Sequence, residues 1–472
     1  MKVTEWQERV SRAVEVVEHA ATRFLNIIVP AASAVTDNLK QFLRRLGKPV
    51  STLRTFPFWI AAVIAGITAV GYAKLFHLAE QLMVDLYSGT PWILFVASPT
   101  LFLLAWWIVH RFAPEAAGSG IPQVMAANVL LDRKEQKKAD RLIAPRVAIV
   151  KVLSSLLCLL GGGAIGREGP TIQISASIFR SVGKFSKRFF QPISDQAWVI
   201  AGGAAGIAAA FNTPLGGIVF TLEELMTAHF NRLRTTVISA VILAGFMAQW
   251  LLGPYLYLGF PKVGGTDLLT LPLAVLVGSA SGVMGGLFSK YLLVLVRKRL
   301  ALKTFKQKAL LTVGSSFVVI VLAVWVDPRS VGSGATLMSA LLFESGESGF
   351  LLIIARFVAT IASYLSGCAG GIFAPSLAIG ASIGSELARL APPEYTNLMI
   401  LMGMIGFLSS VTRAPFTSFV LVLEMTDRHS VIFPMMIAAL TGYSIARTFD
   451  PQSFYGQMRD LYAGEVTPRK QK

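Results

Sequence analysis

The chain has 472 residues, of which 54% are hydrophobic and 15% charged, with a formal net charge of +17. Two cysteines, Cys158 and Cys368, without CxxC spacing argue against a disulfide scaffold, and five scattered histidines argue against a metal centre. The positive balance would suit nucleic acid, but the basic residues cluster between apolar segments, at Arg133 to Arg146, Arg180 to Arg188 and Arg297 to Lys308, which is the positive-inside pattern of cytoplasmic loops.

In chain order, Lys2 to Lys48 mixes apolar positions at helical spacing with charges, and no apolar core lies near Met1. Residues 1–55 are therefore predicted to be a cytoplasmic or interfacial amphipathic segment, not a cleaved signal. Clear apolar runs follow at Phe58 to Phe76, Trp92 to Val109, Val147 to Leu160, Val237 to Leu252, Leu271 to Val296 and Leu310 to Val326. Five other stretches, around 168–181, 199–226, 350–366, 371–390 and 398–425, are short and cut by Gly or Pro. A span needs about 20 apolar residues, so the cut pieces predict half-helices or tilted, re-entrant helices buried in protein. The expected fold is an all-α polytopic membrane protein.

The cut pieces repeat. Gly166-Arg167-Glu168-Gly169-Pro170-Thr171-Ile172 lines up with Gly371-Ile372-Phe373-Ala374-Pro375-Ser376-Leu377. Phe211-Asn212-Thr213-Pro214-Leu215, then Leu222-Glu223, lines up with Thr412-Arg413-Ala414-Pro415-Phe416, then Leu423-Glu424. Shared punctuation predicts a transporter-type duplication, with repeats over 56–262 and 263–450, a C-terminal segment over 451–472, and a binding site where the halves meet. Glu223 has a counterpart in Glu424, so both are expected to hold equivalent structural bonds. Glu168 aligns with Phe373 and Glu224 with Met425, so these two carboxylates break the symmetry and are the candidates for function.

Glu168 stands out further. An ionisable group at membrane depth costs about 2.5 to 3.5 kcal/mol on insertion scales, so it faces a cavity, a partner or an ion path. The glycines around it free backbone amides that suit an anion. Gly118-Ser119-Gly120-Ile121-Pro122 is a third break; alone it reads as a turn, but with the other two it completes three amide-rich sites and adds a hydroxyl.

These three motifs, in this order, with an aromatic-rich stretch around Tyr455, resemble the CLC family of chloride channels and chloride/proton antiporters over roughly residues 55 to 460. The resemblance implies two inverted-topology repeats with broken helices. It implies a chloride site built from the Ser119 and Tyr455 hydroxyls and the Ile372 and Phe373 amides, with motif backbone at Gly118, Gly120, Gly166, Arg167, Gly169 and Gly371. Glu168 resembles the family's gating glutamate, which exchanges protons with the outside, and Glu224 the internal proton glutamate that distinguishes most antiporters from channels. Antiport of chloride and protons is thus expected, with a passive chloride channel as the alternative. Members with proline at the Ser119 position tend to prefer nitrate and the fluoride-exporting branch has altered gate motifs, so these motifs resemble the chloride-selective group.

The resemblance further implies a homodimer in the inner membrane, lipid as surroundings, and both termini in the cytoplasm. No cofactor, metal, enzymatic activity or nucleotide regulation is expected, since few residues follow Asp460 where paired nucleotide-binding modules would stand. The segment after Pro122 lacks the acids that some bacterial relatives carry, which leaves Lys151 needing another partner, such as a backbone carbonyl. Two other classes fare worse. A phosphate loop would need Lys and Ser or Thr where Arg167 and Glu168 stand, and a hydrolase using Ser119 lacks a histidine base in a nearby apolar span.

Overall fold

In the computed structural model, the described residues are 55–464, apart from 90, 190–192, 226–233, 254–255, 265–266 and 345. The predicted amphipathic segment over Lys2 to Lys48 lies outside them. The first half contains α1 (Phe56–Gly89), α2 (Leu94–Phe112), α3 (Ile121–Asp132), α4 (Gln136–Leu142), α5 (Pro145–Leu160), α6 (Glu168–Ser186), α7 (Asp195–Phe211), α8 (Pro214–Phe220) and α9 (Arg234–Leu252). The second contains α10 (Thr270–Ala301), α11 (Phe305–Trp325), α12 (Ala335–Phe343), α13 (Phe350–Leu365), α14 (Phe373–Ala388), α15 (Thr396–Thr412), α16 (Pro415–Thr426) and α17 (Ile432–Phe449). A final helix, α18 (Phe454–Tyr462), follows.

Eight stretches among the described residues are long and apolar enough to cross a membrane. Their outward faces leave Ile60, Ile64, Ile67, Phe246, Trp250 and Leu310 exposed. So much exposed apolar surface suits lipid and not water. One of the eight, Pro393–Thr412, falls in the 398–425 stretch that the Gly and Pro punctuation predicted as short pieces; the break there comes only at Arg413.

The duplication is visible helix by helix. α5 and α13 have 16 residues each, and α7 and α15 have 17 each. Both α7 and α15 end on a left-handed residue that is not glycine, Asn212 at φ 57° and Arg413 at φ 62°. The cause is the proline two positions on. Pro214 and Pro415 exclude the helical region for Thr213 and Ala414, which ends one helix, and then start α8 and α16 at the first position, where a missing N–H costs nothing. Within each half, α6 crosses α7 and α14 crosses α15 on small residues. A Cβ at Gly202 would lie 2.7 Å from the Ala176 Cα, and one at Gly403 would lie 2.2 Å from the Gly380 carbonyl oxygen. Such close crossings are how helices associate where lipid gives no hydrophobic drive.

The halves also cap each other. Glu223 accepts from the Phe416 amide at 3.2 Å and the Thr417 amide at 2.7 Å, at the start of α16. Glu424 accepts from the Leu215 amide at 3.1 Å and the Gly216 amide at 2.8 Å, at the start of α8. Each carboxylate supplies acceptors to orphan first-turn donors of the other half. This is the equivalent structural bonding expected from their alignment.

Candidate anion and proton site

The three predicted breaks meet. Gly118 N–H donates to the Cys368 carbonyl at 2.9 Å, and Gly370 N–H returns a bond to the Gly118 carbonyl at 3.0 Å. Gly166 and Gly371 exchange both backbone bonds, at 2.7 and 2.8 Å. Gly120 N–H donates to the Gln123 side chain at 2.9 Å. All four of these amides are therefore engaged within the protein: those of Gly118, Gly166 and Gly371 clasp the breaks together, and that of Gly120 caps its own helix start.

Other amides are left facing the junction. α3, α6 and α14 start there, and Pro122, Pro170 and Pro375 occupy their first turns. First-turn N–H groups have no acceptor within their own helix. Ile372 and Phe373 N–H find none among the described residues, and the Glu168 carboxylate faces its own amide and that of Ala374. Arg167 directly precedes α6, and Ser119 Oγ lies beside Gly169, where a Cβ would come within 2.3 Å of it.

Ser119 and Tyr455 approach each other, both fully buried, and neither hydroxyl completes a hydrogen bond with the described residues. An unpaired buried hydroxyl costs about 1 to 3 kcal/mol. Two of them beside unpaired helix-start amides form a donor-rich, acceptor-poor cluster, whose chemistry fits an anion. The sequence had not singled out Tyr364. Its hydroxyl, also unpaired, approaches the Ser119 amide and lies where a Gly118 side chain would be, and its ring stands edge-on to Phe454. A lone tyrosine in the aliphatic run of 350–366 was the available signal.

Glu168 is 1% exposed, and its Oε2 has no hydrogen-bond partner among the described residues. Its placement at two helix starts offsets much of the burial cost. A helix N-terminus favours a partly buried anion by up to about 2 kcal/mol, against about 2.5 to 3.5 kcal/mol for a carboxylate at membrane depth. The balance is close. Tyr257, also unpredicted, donates to Glu168 Oε1 at 3.5 Å while Arg167 lies over its ring at 5.9 Å. Beyond them opens a cavity of about 300 Å³ lined by Lys74, His77, Glu80, Arg167, Glu168 and Tyr257.

Glu224 lies elsewhere, half-buried in a single π-helical turn over Thr221–Leu225 after α8. Arg459 of α18, the nearby cation, is paired with Asp460. Asn128 of α3 donates to the Leu225 carbonyl at 2.9 Å, which ties this turn to the helix whose start carries Ser119. Such π turns recur at functional sites. Lys151 is fully buried and donates to the Gly118 carbonyl at 2.9 Å, so a backbone carbonyl is indeed its partner.

A sequence profile described as voltage gated chloride channel matches residues 100–447. The chain is 31% identical over 445 residues to an H(+)/Cl(-) exchange transporter ClcA of Vibrio cholerae, covering 89% of this chain and 92% of that one. It is 32% identical over 447 residues to the protein of the same name from Vibrio parahaemolyticus, with the same coverage. Among solved structures, a slow cyanobacterial Cl-/H+ antiporter superposes with a TM-score of 0.74 at 24% identity, over 87% of this chain and 98% of that one. A CLC-type fluoride/proton antiporter superposes at 0.72 with 22% identity, over 86% and 98%. These two likenesses establish the fold. With the profile and the relatives, they place the chain in the voltage-gated chloride channel (CLC) family.

Proposed function

We propose that this protein is a secondary active chloride/proton antiporter, a transporter and not an enzyme, with Glu168 as its gate. The observation that carries the reading is the Glu168 carboxylate at the start of α14, facing the Ala374 amide. A carboxylate and a chloride compete for the same helix-start donors and cannot share them. Chloride arriving at Ile372 and Phe373 N–H displaces the side chain toward the cavity, where it takes a proton; release of the proton lets it return. One group thus couples the two ions.

Ser119 and Tyr455 would hold a second chloride by their hydroxyls, behind the gate. Glu224, on the π turn facing Arg459, would exchange protons with the cytoplasm and pass them to Glu168 along a route that shares only its outer part with the anion. The names of the relatives support exchange over passive conduction. The same reading takes residues 56–262 and 263–450 as the two repeats and 451–472 as the segment that brings Tyr455 to the site. It takes the working protein as a homodimer in the inner membrane, with both termini cytoplasmic.

The test is a flux assay on reconstituted vesicles that records chloride and protons together. A chloride gradient should drive protons uphill in the wild type, and Glu224→Gln should stop the protons while chloride still moves. Wild-type protein that moves chloride but no protons, and that Glu224→Gln does not alter, would establish the channel alternative instead.

A further inference from the structure

The basic cluster at Arg297 to Lys308 differs from the one at Arg180 to Arg188. In the latter, Arg180 pairs with Asp140 and Asp195, Lys184 with Asp140 and Lys187 with Asp195. The former contains no acid, and Lys303 and Lys306 are exposed and make no ion pair among the described residues. These two lysines flank the start of α11, between Leu302 and Gln307. Both of those residues line the mouth of a groove of about 570 Å³ that runs outward between α11 and α13.

The groove is apolar along its length. Leu310, Leu311, Val318, Ile361 and Leu365 line it, and Leu310 is 73% exposed. Its floor is bare at Gly314, where an added Cβ would meet nothing within 4 Å. The start of α11 is held against α2, since Phe305 packs on Trp106 and His110 at 4.9 and 5.6 Å between ring centroids. Phe305 is also the first residue of a 21-residue stretch apolar enough to cross a membrane, so the lysines beside it stand at the end of a span.

We propose that this groove is a binding site for one anionic phospholipid, with an acyl chain between α11 and α13 and its phosphate at Lys303 and Lys306. An apolar slot at hydrocarbon depth ending in unpaired lysines at headgroup depth matches that amphiphile at both ends. A second copy of this chain, the other candidate occupant, carries 43 basic against 26 acidic residues, so an anionic lipid is the better match for two unpaired lysines. The wall of the groove also reaches the site. Thr312 Oγ1 of α11 donates to the Ser366 carbonyl at 2.8 Å, two residues before the Cys368 carbonyl that accepts from Gly118.

The experiment is native mass spectrometry of the purified protein after exchange with equimolar phosphatidylglycerol and phosphatidylcholine. Two lysines at an anionic headgroup should give wild type roughly a tenfold or greater preference for phosphatidylglycerol. Lys303→Gln with Lys306→Gln should remove that preference at unchanged melting temperature, since both side chains are exposed. Gly314→Phe should fill the groove and cut retention of both lipids. The site is overturned by equal retention of both lipids in wild type, by a preference that survives loss of the lysines, or by displacement of phosphatidylglycerol with inorganic phosphate alone. Dimer dissociation caused by Gly314→Phe would make a second copy the occupant and overturn it equally.

Discussion

The start of α6 and the start of α14 are the same piece of structure twice, each a break clasped to the other through Gly166 and Gly371 and each with a proline in its first turn. One begins with Glu168 and the other with Phe373. The same contrast recurs further on, where Glu223 and Glu424 hold matching caps while Glu224 aligns with Met425 in the repeat. Positions that the two halves share carry the architecture. Positions where they differ, Glu168 against Phe373 and Glu224 against Met425, carry a charge in one half only.

The largest effect should come from making the two helix starts alike in charge. Glu168→Gln is expected to abolish chloride-driven proton movement in vesicles while chloride still crosses, because a neutral amide neither carries the proton nor competes for the anion. Proton uptake that persists in this variant would remove Glu168 from the mechanism. Next in size is the hydroxyl pair: Ser119 is unpaired, whereas Ser333 of the matching Gly332-Ser333-Gly334 turn in the second half accepts from the Ala335 amide. Hydrogen bonds to a charged group are worth about 1.5 to 3 kcal/mol each, so Ser119→Ala with Tyr455→Phe should weaken chloride binding roughly tenfold or more by calorimetric titration.

The shared positions should respond in stability and not in coupling. Glu223→Gln leaves one acceptor for the Phe416 and Thr417 donors, and Glu424→Gln does the same for Leu215 and Gly216. Each should cost about 1 to 3 kcal/mol, seen as a lower melting temperature with the proton-to-chloride ratio unchanged. A changed ratio in either variant would break the division between shared and unshared acids.

The smallest effect lies where the halves start α7 and α15 differently. Ser194 caps α7 by accepting from the Ala197 amide, whereas its counterpart Tyr395 donates to Asp267 at 2.5 Å. That bond from Tyr395 holds the Asp267 carboxyl below its usual value. A lowered value means the stabilisation is present above the ordinary aspartate range, near pH 4, and is lost as pH falls through the lower folded value. Asp267→Asn should therefore lower the melting temperature slightly at neutral pH and leave it almost unchanged in acid, which flattens the acid limb; the effect is small because the site is exposed.

Much of this was legible in the sequence, for a stated reason at each place. Hydropathy determined the membrane, since about 20 apolar residues have few other destinations. Proline and glycine determined the breaks, because Pro214 and Pro415 act on their own neighbours and need no tertiary context. The repeat separated Glu168 and Glu224 from Glu223 and Glu424 before any contact was known. The sequence alone could not reveal which amides remain available. The amides of Gly166 and Gly371 are spent on each other, that of Gly118 on Cys368 and that of Gly120 on Gln123, while Ile372 and Phe373 remain, and only the meeting of distant segments decides this. Tyr364, Tyr257 and the identity of the carbonyl that Lys151 meets stayed hidden for the same reason: each acts on a partner far along the chain, and pairings at that distance are set by packing, which leaves no mark on local composition.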